Sequence, residues 1–411
     1  MDVRDTVEAV FRIESARLVA GLARIVRDVG LAEELAQDAL VIALEQWPVR
    51  GVPDDPGPWL MATAKHRAVD ALRRRANHDR KLAVIGVTDV SLDDEPDLDD
   101  HVRDDLLRLI LTACHPALTT ESQVALILRT LGGLSTAAIA RSFLTTEATV
   151  SQRILRAKRA LTGVAFELPT PAELPARLAA ALGVLYLIFN EGYSASAGDD
   201  WARPQLCEEA IRLGRVMAGL LPSEPEVHGL CALMELQAAR IPARTAADGS
   251  PVLLMDQDRR RWDRLLTRRG LAALAAAEAL GTLGPYGLQA AIAACHARAP
   301  RPADTDWGRI VALYRLLAHV APSAVVRLNL AVAVGMASGP SAGLALLDEL
   351  DGTLANYPYL PAARGDLLER LGRHEEARAE FARAAALTRN ERERGLFLAR
   401  AASGPEDPAS G

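Results

Sequence analysis

Apolar residues recur at helical spacing along nearly the whole chain, from Val7 to Val26, from Ala32 to Trp47 and in consecutive segments after residue 176. An apolar side chain at every third or fourth position lines one face of a helix, whereas a half-buried strand needs strict alternation. Half of the residues are hydrophobic but only 4% are aromatic, and the predominant Ala and Leu are strong helix formers. The sequence therefore predicts an all-α fold, with 411 residues divided among several domains.

Proline, glycine and acidic residues divide this pattern into blocks. Prolines and glycines between Pro48 and Pro58 predict a loop at residues 47–57 and a helix from residue 58 to about 77. The acidic stretch at residues 93–100 has too few apolar side chains to fold alone. The predicted organisation is a helical domain at 1–78, an acidic linker at 79–104, a second helical domain at 105–165, a helical extension at 166–403 and a disordered tail at 404–411.

Charge and motif content exclude several classes of protein. The net charge of −6 is an average, because basic clusters occur at residues 73–75 and 153–159, and phosphate binding depends on where the cations lie. No phosphate-binding glycine loop, zinc-protease motif or dinucleotide motif occurs, so we expect no enzyme and no cofactor. The four cysteines lack metal-ligand spacing and are expected to be small buried side chains, with no metal site.

The sequence also predicts where the protein acts. Charged residues precede the first apolar stretch, which argues against a signal peptide. No run of about 18 apolar residues is evident, so no membrane span is expected. A cytoplasmic protein is the prediction.

The second block has the pattern of a helix-turn-helix. Thr120 and Gln123 suggest a capped helix over residues 124–131, and a short helix at 135–143 is followed by a turn and a long helix ending at Leu161. Thr146 is placed to cap the long helix, whose core face comprises Val150, Ile154, Ala157 and Leu161. In a helix-turn-helix the second helix enters the DNA major groove. An ordinary helical hairpin with a solvated basic face has the same local pattern.

The first block combines a basic helix with an acidic one. After the proline-rich loop, an apolar stripe of Leu60, Ala64, Ala68 and Leu72 leaves basic side chains on the other faces. Cations beside a loop with aromatics suit single-stranded DNA, although Trp47 and Trp59 fit a hydrophobic core better. The preceding helix carries an acidic face, which favours a protein partner over phosphates.

The order of these blocks resembles the sigma-70 family, specifically the extracytoplasmic-function (ECF) group with only the second and fourth sigma domains. The resemblance rests on residues 32–40, 58–75 and 137–161. It implies a transcription initiation factor that binds core RNA polymerase, at the β′ clamp helices and the β flap, and promoter DNA. The polymerase-binding residues would be Glu33, Glu34, Gln37 and Asp38.

The resemblance also assigns residues to promoter elements. The −10 strand would be captured by the loop at residues 47–57 with Trp59, Lys65, His66, Arg67, Arg73 and Arg74. The −35 element would be contacted by Thr146, Thr149, Ser151, Gln152, Arg153, Arg156, Lys158 and Arg159. His66 stands where many relatives have Asn, and Ser151 where Lys is usual, so the promoter sequence is not transferable.

The extension carries a weak repeat. Gly343, Leu347 and Leu350 correspond to Ala377, Phe381 and Ala384, each 34 residues later, which is the period of tetratricopeptide (TPR) helix pairs. Residues 189–194, 288–296 and 305–307 resemble the ECF subgroup with a TPR-like extension. Such an extension is expected to control activity within the chain, either by holding the two DNA-binding domains closed or by supporting the active conformation, and it is a candidate site for a regulatory protein or a ligand.

Two other functions fit the same residues. A conventional helix-turn-helix regulator of duplex DNA with a TPR-type sensor would bind DNA without polymerase. A TPR scaffold with incidental basic helices would not depend on DNA at all.

Overall fold

The computed structural model describes residues 3–82, 98–194, 203–247 and 249–402. Within these ranges the chain forms α-helices, short 3-10 helices and one isolated β-bridge, with no strand. The prediction of an all-α fold is confirmed. The chain divides into two compact units between Leu187 and Ile188.

Among its described residues the first unit contains seven helices and most of an eighth. They are α1 Val3–Val26, α2 Val29–Arg50, α3 Pro56–Leu82, α4 Leu98–Ala113, α5 Thr120–Thr130, α6 Thr136–Ser142, α7 Glu147–Ala160 and α8 Leu174–Tyr193, which crosses the unit boundary. Helices α2, α3 and α4 pack on α1, and α5 and α6 pack on α7. Leu18, Leu22, Trp47 and Leu60 are almost completely buried between the first helices.

The predicted loop between the first helices is shorter than expected. Helix α2 continues through Pro48 to Arg50, and α3 starts at Pro56, so only residues 51–55 are outside a helix. Proline lacks one backbone donor, and near the end of a helix this removes a single hydrogen bond. Gly51, at φ +85°, ends α2 by donating its N–H to the Trp47 carbonyl oxygen.

The predicted linker boundaries are also displaced. Helix α3 extends past residue 78 to Leu82 and α4 begins at Leu98, so both ends of the predicted 79–104 linker are helical. Residues 83–97 and the predicted tail at 404–411 lie outside the described residues. The predicted capping residue of α5 is wrong by one position, because the hydroxyl of Thr119, not Thr120, accepts the N–H of Ser122.

Helix α8 bears on two further expectations. The division between the units falls inside it, whereas the predicted domain boundary is at 165/166 and stays a prediction. It is also long and apolar enough to cross a membrane by length and composition, contrary to the expectation that no such stretch occurs. Leu178, Leu182 and Leu185 are buried, and the Arg177 guanidinium donates to the Leu111 carbonyl oxygen, as in a core helix of a folded domain.

The second unit is an array of consecutive helices. They are α9 Pro204–Leu220, α10 Pro225–Ala238, α11 Arg264–Leu280, α12 Pro285–Arg298, α13 Trp307–Val320, α14 Ala324–Ser338, α15 Pro340–Asp348, α16 Tyr359–Arg370, α17 His374–Leu387 and α18 Glu391–Ala402. Each of these helices packs on the next one along the chain. The cysteines Cys114, Cys207, Cys231 and Cys295 are all buried, as expected.

The 34-residue repeat corresponds to equivalent positions in α15 and α17. Leu347 and Phe381 are both fully buried in one hydrophobic cluster. A Cβ on Gly343 would lie 2.8 Å from the Gly335 Cα, and one on Gly365 would lie 2.7 Å from the Phe381 ring. Small residues therefore allow close helix approach in the α14–α15 pair and in the α16–α17 pair, and the assignment of these pairs to TPR units stays a prediction.

Candidate functional site

Helix α7 has the geometry predicted for the second helix of a helix-turn-helix. The Thr146 hydroxyl accepts the Thr149 N–H at 3.1 Å and caps the helix. The preceding turn places Leu144 at φ +46°, in the left-handed region. Val150, Ile154 and Ala157 are buried as the pattern predicted, and α6 packs against this helix.

The face of α7 opposite the core is open to solvent and cationic. Gln152, Arg156 and Arg159 are exposed and lie on successive turns. The predicted contacts Thr146 and Thr149 are joined hydroxyl to hydroxyl at 2.8 Å within the helix cap. Ser151 is exposed on the flank of the helix.

Arg153 is half-buried and lies near the start of α5. The pKa of Glu121, in the first turn of that helix, is lowered by a hydrogen bond from its own backbone N–H, by one from the Thr119 hydroxyl, and more weakly by Arg153. The charge of Arg153 therefore acts on a carboxylate of its own domain.

Lys158, on the flank that also carries Ser151, contacts α2. Its ammonium lies 2.7 Å from the Glu33 carboxylate and 3.4 Å from that of Glu34. The other Glu33 oxygen accepts from the Arg129 guanidinium of α5 at 2.9 Å. Glu33 is only 5% exposed. We call this group, Glu33 with Arg129 and Lys158, the Glu33 cluster; it joins a predicted polymerase-binding residue to a predicted −35 residue.

The packing around the Glu33 cluster is close. A Cβ on Gly30 would lie 3.4 Å from the Lys158 side chain, so the aliphatic part of Lys158 covers the start of α2. The Arg129 guanidinium also donates to the Leu134 carbonyl oxygen. A carboxylate buried between two cations is compensated, whereas removing it leaves both cations unpaired.

The remaining residues of the acidic face are open. Glu34 and Asp38 are exposed and Gln37 is half-buried on α2. Asp38 accepts from the Arg67 guanidinium of α3 at 2.7 Å, with about half of each side chain exposed. An exposed ion pair of this kind contributes at most about 1 kcal/mol.

Helix α3 presents its basic residues on the surface. His66, Arg67, Arg73 and Arg74 are exposed and Lys65 is half-buried. Trp59 is half-buried, with its ring edge-to-face on the fully buried Trp47 at a centroid distance of 5.4 Å. The expectation that the tryptophans belong to the core is confirmed for Trp47.

Sequence reasoning missed Arg129 and Gly30. The contacts around Glu33 join residues that are far apart along the chain. Arg129 is separated from Glu33 by 96 residues, and Lys158 is separated from it by 125. Nothing in the local pattern of α2, α5 or α7 predicts this contact.

Comparison with known proteins agrees with the geometry. Residues 12–78 match the family model of sigma-70 region 2, and residues 108–161 match that of sigma-70 region 4. The chain is 30% identical over 158 residues to the ECF RNA polymerase sigma factor SigK of Mycobacterium ulcerans. The alignment covers 37% of this chain and 82% of SigK. The chain belongs to the ECF group of the sigma-70 family. The family predicted from the sequence is confirmed.

Further relatives cover the same and additional parts of this sigma factor. SigK of Mycolicibacterium vanbaalenii is 31% identical over 161 residues, covering 36% of this chain and 78% of the relative. The uncharacterized protein R00370 of Rhizobium meliloti is 45% identical over 379 residues, covering 90% of this chain and 89% of that protein. Residues 177–278 match a family of unknown function, DUF6596. No solved structure gives a significant match.

Proposed function

We propose that this sigma factor binds core RNA polymerase through α2 and directs initiation at promoters contacted by α7 at the −35 element and by α3 at the melted −10 strand. The observation that carries the proposal is the exposed face of α7, where Gln152, Arg156 and Arg159 stand opposite the buried stripe of a capped helix within the region 4 match. Arg and Gln are the side chains that pair with guanine and adenine edges in the major groove. Such a factor acts in the cytoplasm, beside the chromosome.

At the −35 element we assign base and backbone contacts to different residues. Gln152 and Arg156 are placed to contact bases, while Arg159 and Ser151 are suited to phosphates because they lie toward the end and the flank of the helix. Thr146 and Thr149 can act through the helix N-terminus that they cap. Lys158 contributes only after it leaves Glu33.

At the −10 element the loop at residues 51–55 leads into α3, which carries the cations further along its length. Four exposed basic side chains on one helix suit the phosphates of a single strand. Trp59 keeps part of its ring accessible for a base, while Trp47 supports it from the core.

For polymerase binding we assign Glu34, Gln37 and Asp38, which face solvent or are half-buried. Glu33 is already occupied by Arg129 and Lys158. If Glu33 also takes part, docking on polymerase requires the Glu33 cluster to open, so the intact cluster holds the free chain in a closed form that competes with docking.

The test is transcription with purified core polymerase and a genomic promoter library. We expect transcripts that share one −35/−10 pair and are lost on Arg153→Ala or Arg156→Ala. Arg103→Ala, which removes an exposed arginine from α4, is the matched control and should transcribe normally. Binding of duplex DNA without polymerase, with no transcripts, would instead support a conventional helix-turn-helix regulator.

We further propose that the second unit controls this activity. A sigma factor truncated after residue 194 retains all of α8, which a cut near residue 170 would remove. Unregulated transcription from the truncated protein would mean that the second unit inhibits, and loss of transcription with retained folding would mean that it is required. Unchanged transcription would contradict both forms of control.

A further inference from the structure

A cationic cavity of about 870 Å³ lies in the second unit, beside the short 3-10 helix Arg259–Arg261, the start of α11 and the segment after α12. Its volume is within the range of small-molecule sites. Five arginines line it: Arg259, Arg260, Arg264, Arg268 and Arg301. Two aspartates, Asp256 and Asp258, also line it, so positive charge is in excess.

The arginines divide into those that build the wall and those that are open. Arg259 donates to the carbonyl oxygens of His296 and Ala299 and to the Thr305 hydroxyl. Arg260 and Arg301 form ion pairs with aspartates, Asp258 and Asp304 respectively. These contacts hold the rim in place.

Arg264 and Arg268 are the open cations. They are exposed and one turn apart on the first turns of α11, and neither has an ion pair or side-chain hydrogen bond within the described part of the chain. Side chains four residues apart lie on the same helix face, about 6 Å apart at Cβ. Two guanidinium groups therefore lie side by side at one wall of the cavity and are available to a ligand.

Two further donors at the cavity are unsatisfied. Trp262 lines it and is only 6% exposed, yet its indole N–H has no acceptor. The Arg259 Nε is also buried without a partner. Buried donors are normally hydrogen-bonded, and each exception requires an explanation.

The potential near the cavity is positive, as a neighbouring histidine reports. Burial and, after it, the charges of Arg240 and Arg259 together lower the pKa of His296 to about 4. Both guanidiniums lie over the Trp262 ring, at 5.6 and 5.3 Å from its centroid. An anion in the cavity would be favoured by this field.

We propose that this cavity binds a phosphorylated small molecule, with Arg264 and Arg268 on the phosphate oxygens. A phosphate offers more acceptor oxygens and more charge than a single carboxylate, and arginine pairs with it through two parallel bonds. The cavity has the size and concave shape of a small-molecule site, which does not suit an extended nucleic-acid backbone. A ligand here would supply the signal for the control proposed above; that role rests on the proposed function, but the binding does not.

The test is calorimetric titration of the full chain with inorganic pyrophosphate at 150 mM NaCl, where weak surface attraction is screened within about 8 Å. We expect saturable binding of about one pyrophosphate per chain. The double variant Arg264→Gln/Arg268→Gln should weaken it at least tenfold, since both side chains are exposed and outside the core. Arg315→Gln/Arg327→Gln removes two exposed arginines elsewhere in the second unit, and should bind as the parent chain does.

Two additional arms complete the test. Citrate and a short DNA duplex serve as competitors. Absence of saturable binding, an equal loss in the control double variant, or preference for citrate or for the duplex would each overturn the proposal. Because polymerase is absent throughout, failure of the sigma assignment does not affect the result.

Discussion

Helices α3 and α7 carry the same kind of sequence, an apolar stripe with basic residues around it. In the structure, however, the basic side chains of the two helices form different ion pairs. On α3 the only ion pair among the described side chains is Arg67 with Asp38, and it is exposed. On α7 one cation, Lys158, is directed into a contact with the nearly buried Glu33. A basic helix face therefore does not by itself indicate which charges are available to DNA.

The cause of this difference is the neighbour of each helix. Helix α3 lies beside α1 and α2, whose contact with it is mainly the apolar stripe. Helix α7 meets the start of α2, where Gly30 leaves room for the Lys158 stem. Four substitutions test this contrast between the basic residues of α3 and those of α7.

The largest effect is expected for Glu33→Leu. The substitution leaves Arg129 and Lys158 without their shared carboxylate, and both side chains are less than a quarter exposed. We expect the free energy of unfolding of the first unit to fall by about 3 kcal/mol, the usual scale for removing one member of a buried ion pair. Urea denaturation measures this. Glu34→Gln, at a side chain 68% exposed, is the control and should change stability by less than about 0.5 kcal/mol. Equal effects of the two substitutions would mean that the Glu33 cluster does not hold α2 to α7.

The second prediction concerns function. Arg156→Ala should lower transcription from a −35-dependent promoter about tenfold or more, since a base contact by arginine accounts for about 1–3 kcal/mol. Stability should be unchanged, because the side chain is exposed and has no partner within the described residues. Run-off transcription and thermal melting are measured on the same preparation. A stability loss equal to the functional loss would show that Arg156 acts within the fold.

Lys158→Met is the matched substitution on the other flank of α7. Methionine keeps the apolar stem over Gly30 but removes the charge that pairs with Glu33. We expect a stability loss of about 1–2 kcal/mol, as for hydrogen bonds between charged groups. Substitution of Lys158 should thus lower the free energy of unfolding and substitution of Arg156 should not, although both are basic residues of one helix. The reverse order in urea denaturation would contradict the contrast.

The smallest effect is expected for the ion pair between α2 and α3. Asp38→Asn removes the exposed pair with Arg67 and should change the free energy of unfolding by less than about 0.5 kcal/mol. Denaturation at low and high salt provides the check, because screening should cancel even this small difference. A loss above 1 kcal/mol would show that Arg67 is held for structural reasons.

Local physics made much of this protein predictable from its sequence. Apolar spacing predicted the helices, and the buried Val150, Ile154 and Ala157 with the Thr146 cap follow from spacing and capping chemistry alone. The wrong predictions lie at helix boundaries, because a proline or a glycine there is compatible with more than one end point of the helix. Pro48 is accommodated near the end of α2, and the cap of α5 is Thr119 with an equivalent hydroxyl next to it at Thr120.

Tertiary structure decided which of the predicted side chains are available. Glu33 and Glu34 are adjacent and identical in type, yet one is buried between two cations from α5 and α7 and the other is exposed. The cavity around Arg264 and Trp262 likewise depends on segments that are distant along the chain. Helical periodicity acts over four residues, whereas these contacts require the chain to return after tens of residues. Only packing of the whole unit determines them.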